Sequence, residues 1–309
     1  MWYTWHQPFK KNTIFAKVKT QKLILLSLLL LLPLCGLSAK RALVVGISKY
    51  PQDKGELSWP IIHGANDVTI IKPILEKQGF AVTALINQKA TATNIRKALA
   101  TLVKKAQKGD IIYFHFSGHG QPVEDVSGDE ADGWDEAIIP YDALKRFKKG
   151  VYTGKKHILD DEIGVYVNAL RRKIGPKGMV YVVLDACHMG SASRADDADD
   201  EAVFCRGTNV GFSKTSKPFV PKIDSRSNMR LTKKANWGNA CFLEACRAYQ
   251  SNYEAKFNGT YYGPLTYYVC RVLSKHSLSN GNTWVELVRR LMNADKRLSR
   301  QNMVVEKSY

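Results

Sequence analysis

Between Arg41 and Asp185 the chain alternates between short apolar runs and longer stretches whose apolar residues recur at helical spacing. "RALVVGIS", "FAVTALI", "IIYFHF" and "GMVYVVLD" have the length and continuity of buried strands. "GANDVTIIKPILEKQG", "TATNIRKALATLVKKAQKG" and "DDEIGVYVNALRRKIG" read as amphipathic helices, the first two stopped by Gly79 and Gly109. The stretch between "IIYFHF" and "DDEIGVYVNALRRKIG", acidic and rich in glycine, is expected to be irregular. This order predicts an α/β fold: a mainly parallel central sheet with helices on both faces. In such sheets function gathers in the crevice beyond the carboxyl ends of the strands.

Two strands finish at reactive residues. "IIYFHFSGHG" ends on His119 and "YVVLDACHMG" on Cys187, so both side chains are expected at one crevice. A thiolate attacks a carbonyl carbon, and an imidazole manages the proton given to the leaving amine. A buried Cys is commonly inert packing and a His commonly a satisfied core residue. The glycines on either side of His119 favour the chemical reading, because Gly118 and Gly120 let the backbone approach a substrate. The amides of Gly120 and Cys187 are expected to form an oxyanion hole. His188 is the nearest rival base, although the residue after a nucleophile usually points away from it. A metal site of His119, Cys187 and His188 has no further ligand spacing to support it.

The chain has 309 residues, 45% hydrophobic and 24% charged, enough to bury a full core. Its formal charge of +18 suggests an anionic partner, but the bases are scattered, and five lysines lie in the first 39 residues beside no acid. No nucleic-acid partner is expected. The apolar run from Leu23 to Leu34, preceded by lysines and followed by small residues, has the length of a signal-peptide core. Cleavage after Ala39 and export are expected, with an uncleaved membrane anchor as the alternative. Beyond Cys35 the cysteines are Cys187, Cys205, Cys241, Cys246 and Cys270, an odd set without the spacing of a disulfide framework.

"HFSGHG" followed about 70 residues later by "VLDACHMG" resembles the caspase-like cysteine peptidases, and "GDEADGWDEAIIPYD" between them resembles the metacaspases in particular. "RALVVGISKY", "GANDV", "LEACRAYQSNYEA" and "GPLTYYVCRVL" extend the resemblance from Arg41 to about Gln301. It implies a caspase-hemoglobinase fold in residues 40–309: a large half at about 40–204, a basic linker at about 205–236 and a small half at about 237–309. Residues 1–39 would be the signal peptide or anchor. It also implies a catalytic dyad of His119 and Cys187 with no obligatory carboxylate, and a monomer is expected.

An acidic residue at the bottom of a primary pocket selects a basic substrate residue, because an unpaired buried charge is costly and a matched pair is tolerable. Asp67 and Asp185 are the candidates, Asp67 having a helix N-terminal role as its alternative. Carried over from the family, Asp67, Ser117 and Asp185 form a pocket for Arg or Lys. Gly64 departs from the pattern, since many members have a cysteine there. The resemblance further implies activating calcium at Asp135, Asp160 and Asp161, oxygen ligands of the kind calcium takes. The fourth family position holds Arg194; Asp196 or Asp197 would have to substitute, and Asp160 has a helix cap as its alternative role.

"CRGTNVGFSKTSKPFVPKIDSRSNMRLTKKANWG" lacks periodicity and is basic, hence a flexible linker or a self-processing loop, with Lys217, Lys222, Arg226, Arg230, Lys233 and Lys234 as candidate cut sites. The expected function is that of an exported endopeptidase acting on protein or peptide substrates after Arg or Lys, with Cys187 as nucleophile and His119 as acid and base. The rivals are a catalytically idle caspase-fold binding or scaffold module, and a peptidase selective for Asp. The latter needs a basic pocket where this chain has acids.

Overall fold

The computed structural model describes residues 1–3, 38–128, 130, 133–187, 204–221, 231, 234–278 and 283–308. The chain divides into two compact units, Met1–Leu37 and Ser38–Tyr309, and the second holds every strand and helix described below. Among the described residues no helix is long and apolar enough to cross a membrane, and the run from Leu23 to Leu34 lies outside them.

Each predicted strand and helix forms. In chain order they are β1 (Lys40–Gly46), α1 (Gly64–Lys77), β2 (Phe80–Ile86), α2 (Ala92–Lys105) and β3 (Ile111–Ser117). Then come β4 (Gly120–Glu124), β5 (Trp134–Ile138), β6 (Ile158–Leu159), α3 (Asp160–Ile174) and β7 (Met179–Asp185). The remainder is β8 (Asn239–Glu244), β9 (Ala255–Phe257), β10 (Thr260–Tyr262), α4 (Pro264–Leu273), α5 (Thr283–Ala294) and β11 (Val304–Lys307). The central sheet runs β11-β8-β7-β3-β1-β2, parallel except for the antiparallel edge strand β11.

Alternate residues of the strands feed two cores. Leu43, Val45, Phe114, Phe116, Val180 and Val182 pack under Ile95 and Leu99 of α2 and Val167 and Leu170 of α3. Ala42, Val44, Tyr113, Tyr181 and Val183 face the other way, against Ile71 of α1, Val269 of α4 and Trp284 and Val288 of α5. Both faces are covered, which is why the strands read as unbroken apolar runs rather than as alternating ones.

The stretch expected to be irregular is partly a second sheet, antiparallel, in the order β4-β5-β6. Its strands have five, five and two residues, and β4 carries Pro122, tolerated because β4 is an edge strand. This sheet begins one residue past His119 and so anchors the far side of the loop that carries it.

Candidate active site

In the register of the parallel pair β3 and β7, Ser117 lies opposite Asp185. His119 and Cys187 each follow two residues later, on adjacent strands at the same end of the sheet. The turn between Ser117 and His119 needs Gly118, since a Cβ there would press on the Phe116 ring and the Tyr50 hydroxyl. Both His119 and Cys187 are fully buried.

The imidazole of His119 is held on three sides. Its ring stacks on Trp59 with centroids 4.9 Å apart and tilts against Tyr50 at 5.2 Å. The Tyr50 hydroxyl accepts from the His119 amide at 3.1 Å and donates to the Ile139 carbonyl at 3.1 Å. Nε2 donates to the Pro60 carbonyl at 2.9 Å, which fixes the tautomer and leaves Nδ1 as the basic nitrogen. Nδ1 is buried without a hydrogen-bond partner. Burial pushes the pKa of His119 down to about 4, against the pull of the Pro60 carbonyl and of Glu254. The ring is therefore neutral at ordinary pH, the state in which it can take a proton. The Cys187 thiol donates to the Gln250 carbonyl at 2.7 Å, and Cys246 reaches the same carbonyl at 3.4 Å. Among the described residues the five cysteines form no disulfide.

The two amides expected to form an oxyanion hole converge on one oxygen, and that oxygen belongs to the chain itself. Gly120 N–H donates to the Arg206 carbonyl at 2.9 Å and Cys187 N–H donates to it at 3.3 Å. The Arg206 side chain extends from that point into a sealed acidic pocket. Its Nη1 donates to Asp67 Oδ2 at 2.7 Å and to the Asp185 carbonyl at 3.1 Å, and lies 3.3 Å from Asp185 Oδ1. Nε and Nη2 donate to Glu254 Oε1 at 3.0 and 2.9 Å. Burial opposes the charge on Arg206, but Asp67, Asp185 and Glu254 outweigh it and hold the guanidinium protonated beyond its ordinary range. Burial lifts Asp67 to about 7 in spite of the attraction of Arg206. Glu254 is also penalised by burial, yet Arg206 and His63 bring its pKa below the usual value.

Around these acids the pocket is rigidly supplied with donors. Asp185 Oδ2 accepts from the amide and hydroxyl of Thr266 at 2.7 Å each, and Oδ1 accepts from Asn252 at 2.8 Å. Asp67 Oδ1 accepts from the Gly263 amide at 3.1 Å. Ser117, expected in the pocket wall, bonds to His115 and Thr266, so it reaches Asp185 through Thr266 rather than touching Arg206. Asp67 sits in the first turn of α1, so the dipole role and the pocket role coincide in one residue. Gly64 is explained too: a Cβ there would collide with the carbonyl oxygens of Ser117 and Ile47.

Of the calcium candidates, Asp135 and Asp161 line one open cleft of about 460 Å³ with Glu124, Glu162 and Lys214. Asp160 begins α3, where Leu159 occupies the cap position and makes no side-chain cap. The Oδ1 atom of Asp160 is buried without a partner, and burial followed by the charges of Glu136, Asp161 and Asp135 raises its pKa to about 8. Glu244, at the end of β8, has a buried unpartnered Oε1, and its pKa is raised by burial and then by Glu136 and Asp160. Among the described residues no three ligating side chains are close enough to grip an ion as they stand. The donors are nonetheless of the chemical kind a hard cation takes, carboxylates of which Asp160 and Glu244 each keep a buried oxygen unsatisfied. Arg194, Asp196, Asp197 and His188 lie outside the described residues.

Glu254, Arg206, Glu244 and the Pro60 carbonyl escape a reading of the sequence. The only signal for the first two is their place in or beside recognisable segments, Glu254 in "NYEA" and Arg206 at the head of the basic loop.

A thiol and an imidazole beyond adjacent parallel strands, with helices on both faces of the sheet, define the caspase-like class of α/β proteins. Residues 40–195 match the family model described as metacaspase, peptidase C14 domain, and the chain belongs to that family. Metacaspase-1A of Aspergillus terreus is 35% identical over 164 residues, covering 50% of this chain and 36% of that protein. Metacaspase-1B of Aspergillus fumigatus is 36% identical over 163 residues, with the same coverage of 50% and 36%. The chain thus spans little more than a third of the length of these curated relatives. A solved structure of a protein from Geobacter sulfurreducens superposes with a TM-score of 0.58 at 21% identity, covering 87% of this chain and 93% of that one, a likeness of fold.

Proposed function

We propose that the protein is a cysteine endopeptidase that cuts peptide bonds after Arg or Lys, with Cys187 as nucleophile and His119 as acid and base. The observation that carries this reading is Arg206. Its guanidinium is matched by Asp67, Asp185 and Glu254, while its carbonyl oxygen sits where the amides of Gly120 and Cys187 meet. A pocket that neutralises a buried cation beside two converging amides is what cleavage after a basic residue requires. The thiolate of Cys187 attacks the carbonyl carbon and the amides take the charge on oxygen. His119 Nδ1 carries the thiol proton to the leaving amine, and water then hydrolyses the thioester.

An idle scaffold has no need of a neutral imidazole with its basic nitrogen left open, and an Asp-selective peptidase would repel its own substrate at three carboxylates. Export, through the segment from Leu23 to Leu34, is part of the same proposal. Calcium would be held by Asp160 with Asp135 and Asp161, and Glu244 would supply the oxygen that Arg194 cannot. There the ion would neutralise crowded carboxylates, and no bond of the substrate is made or broken on it.

The test is hydrolysis of paired peptide reporters ending in Arg, Lys or Asp by the purified protein and by Cys187→Ala, with calcium or a chelator. Turnover of the Arg and Lys reporters that disappears in Cys187→Ala is expected. Turnover of the Asp reporter, or activity that survives in the variant, contradicts the reading.

A further inference from the structure

We propose that the bond between Arg206 and Gly207 is the protein's own first substrate, held in the cleft as a bound strand and cut in cis. The inference rests on the peptidase reading above and assigns a cut at a residue outside the basic positions from Lys214 to Lys234.

Phe204, Cys205 and Arg206 lie along the chain segment 252–254 as an added antiparallel strand. Arg206 N–H donates to the Asn252 carbonyl at 2.9 Å, Glu254 N–H donates to the Phe204 carbonyl at 2.9 Å, and Cys205 faces Tyr253 between them. Addition of an extended peptide to an open strand, with alternate side chains entering pockets, is a general mode of peptide recognition. The alternate side chains do so here. Arg206 fills the acidic pocket, and Phe204 packs edge-on against His63 at 4.5 Å and Tyr261 at 4.9 Å.

A purely structural arginine would require the pocket alone. It would not require its carbonyl oxygen to lie between the amides of Gly120 and Cys187, nor its N–H to pair with Asn252, nor a glycine as the next residue. Among the described residues the segment from Phe204 to Gly207 meets all four conditions, and the bond that follows the Arg206 carbonyl is Arg206–Gly207. Lys217, by contrast, donates to the Gly133 carbonyl at 2.9 Å and lies over the Trp134 ring, and Lys234 lies over Trp237; Lys222, Arg226, Arg230 and Lys233 lie outside the described residues. The Cys187 proton is directed to the Gln250 carbonyl, and His119 Nδ1 is left open. Rotation of the thiol toward Nδ1 starts the reaction.

The atoms balance without any co-reactant other than water. The Cys187 sulfur bonds to the Arg206 carbonyl carbon, the bond from that carbon to the Gly207 nitrogen breaks, and His119 passes the thiol proton to the nitrogen. Water then cleaves the thioester, giving a carboxylate on Arg206 and restoring the thiol. The new end at Arg206 stays paired with residues 252–254 until it leaves, and its departure opens the pocket to other chains.

The experiment follows freshly purified full-length protein by intact mass and terminal sequencing, alongside an Arg peptide reporter. A fragment beginning Gly207-Thr208-Asn209 is expected, appearing before any cut at the later basic residues and at a rate independent of protein concentration. If the protein is already cut on isolation, the same terminus is expected. Cys187→Ala should give none. Arg206→Gln should lose this fragment, and Arg206→Lys should restore it at a lower rate, because an ammonium meets the carboxylates as a point charge. Thermal melting of both variants separates loss of the cut from loss of the fold. Reporter turnover without a Gly207 terminus overturns this proposal and leaves the peptidase reading standing. Absence of both overturns both. A Gly207 terminus from Cys187→Ala, or one that follows the lysine cuts, also overturns it.

Discussion

His119 keeps one nitrogen committed to Pro60 and the other open, inside a site that contains a bound basic side chain. In the proposed peptidase reaction that is the ionisation of the complex rather than of the free protein, so it would govern kcat. With its pKa near 4, the ring stays neutral well below the ordinary imidazole value of 6.5. The acidic limb of kcat for an Arg reporter is therefore expected below pH 5; a limb at 6.5 would show that water enters the working complex. Gly263 gives a second prediction at this scale. A Cβ there would run into the Asp185 carboxylate and the Arg206 guanidinium, so Gly263→Ala should exclude a basic side chain from the pocket. Breaking such a buried charge match costs about 3–5 kcal/mol, and kcat/KM for the Arg reporter should fall roughly 10²-fold or more. Retention of full activity would mean that the pocket is not where basic residues bind. At this scale the charges of Asp67 and Asp185 were legible, because side-chain chemistry is written in the letters. The Pro60 carbonyl was not, because a backbone oxygen has no letter, and nothing marks Arg206 among the many bases of its loop.

At the scale of elements, α1 brings Asp67 to the pocket while its first residue rests on the backbone of two strand ends. Gly64 is what lets the helix come that close. Gly64→Cys, the residue the family resemblance would place there, should push α1 outward at a cost of about 1–3 kcal/mol. The variant should show a lower urea midpoint and a weaker preference for Arg over neutral residues, because Asp67 moves with its helix. An unchanged midpoint would show that this end of α1 yields freely. The parallel sheet was legible because strands buried on both faces leave continuous apolar runs. The β4-β5-β6 sheet was hidden by strands of two to five residues in an acidic stretch broken by a proline, too short for any period to show. The helix α5 did carry its period, in Trp284, Val285, Val288 and Met292, and went unread because no motif drew attention to it.

For the whole molecule, the buried carboxyls of Asp160 and Glu244 tie stability to pH and, through the proposed calcium site, to cations as well. The fold raises Asp160 to about 8, chiefly through burial, and raises Glu244 in the same direction. An acid whose pKa is higher folded than unfolded keeps its proton in the fold and loses it more readily in the unfolded chain. The stability these acids contribute is then fully present below about pH 4 and declines as pH rises toward 8, while the buried neutral rings of His115, His119 and His157, held below 6.5 by burial, contribute stability that is lost as pH falls below 6.5. Asp67, raised to about 7, adds to the same slope, though Arg206 already supplies it with a counter-charge. At the proposed calcium site a divalent cation would replace the missing protons at Asp160 and Glu244. In chelator, melting of the wild type relative to Asp160→Asn should therefore move down between pH 5 and pH 8 by more than about 5 °C, given roughly 2–4 °C per kcal/mol for a domain of this size. Calcium should restore most of the loss at pH 8 and do little at pH 5, where protons already occupy the site. Asp160→Asn keeps the shape without the charge, so it should flatten the pH dependence and remove most of the response to calcium. A calcium shift of equal size at both pH values, or one retained in Asp160→Asn, would place the ion elsewhere.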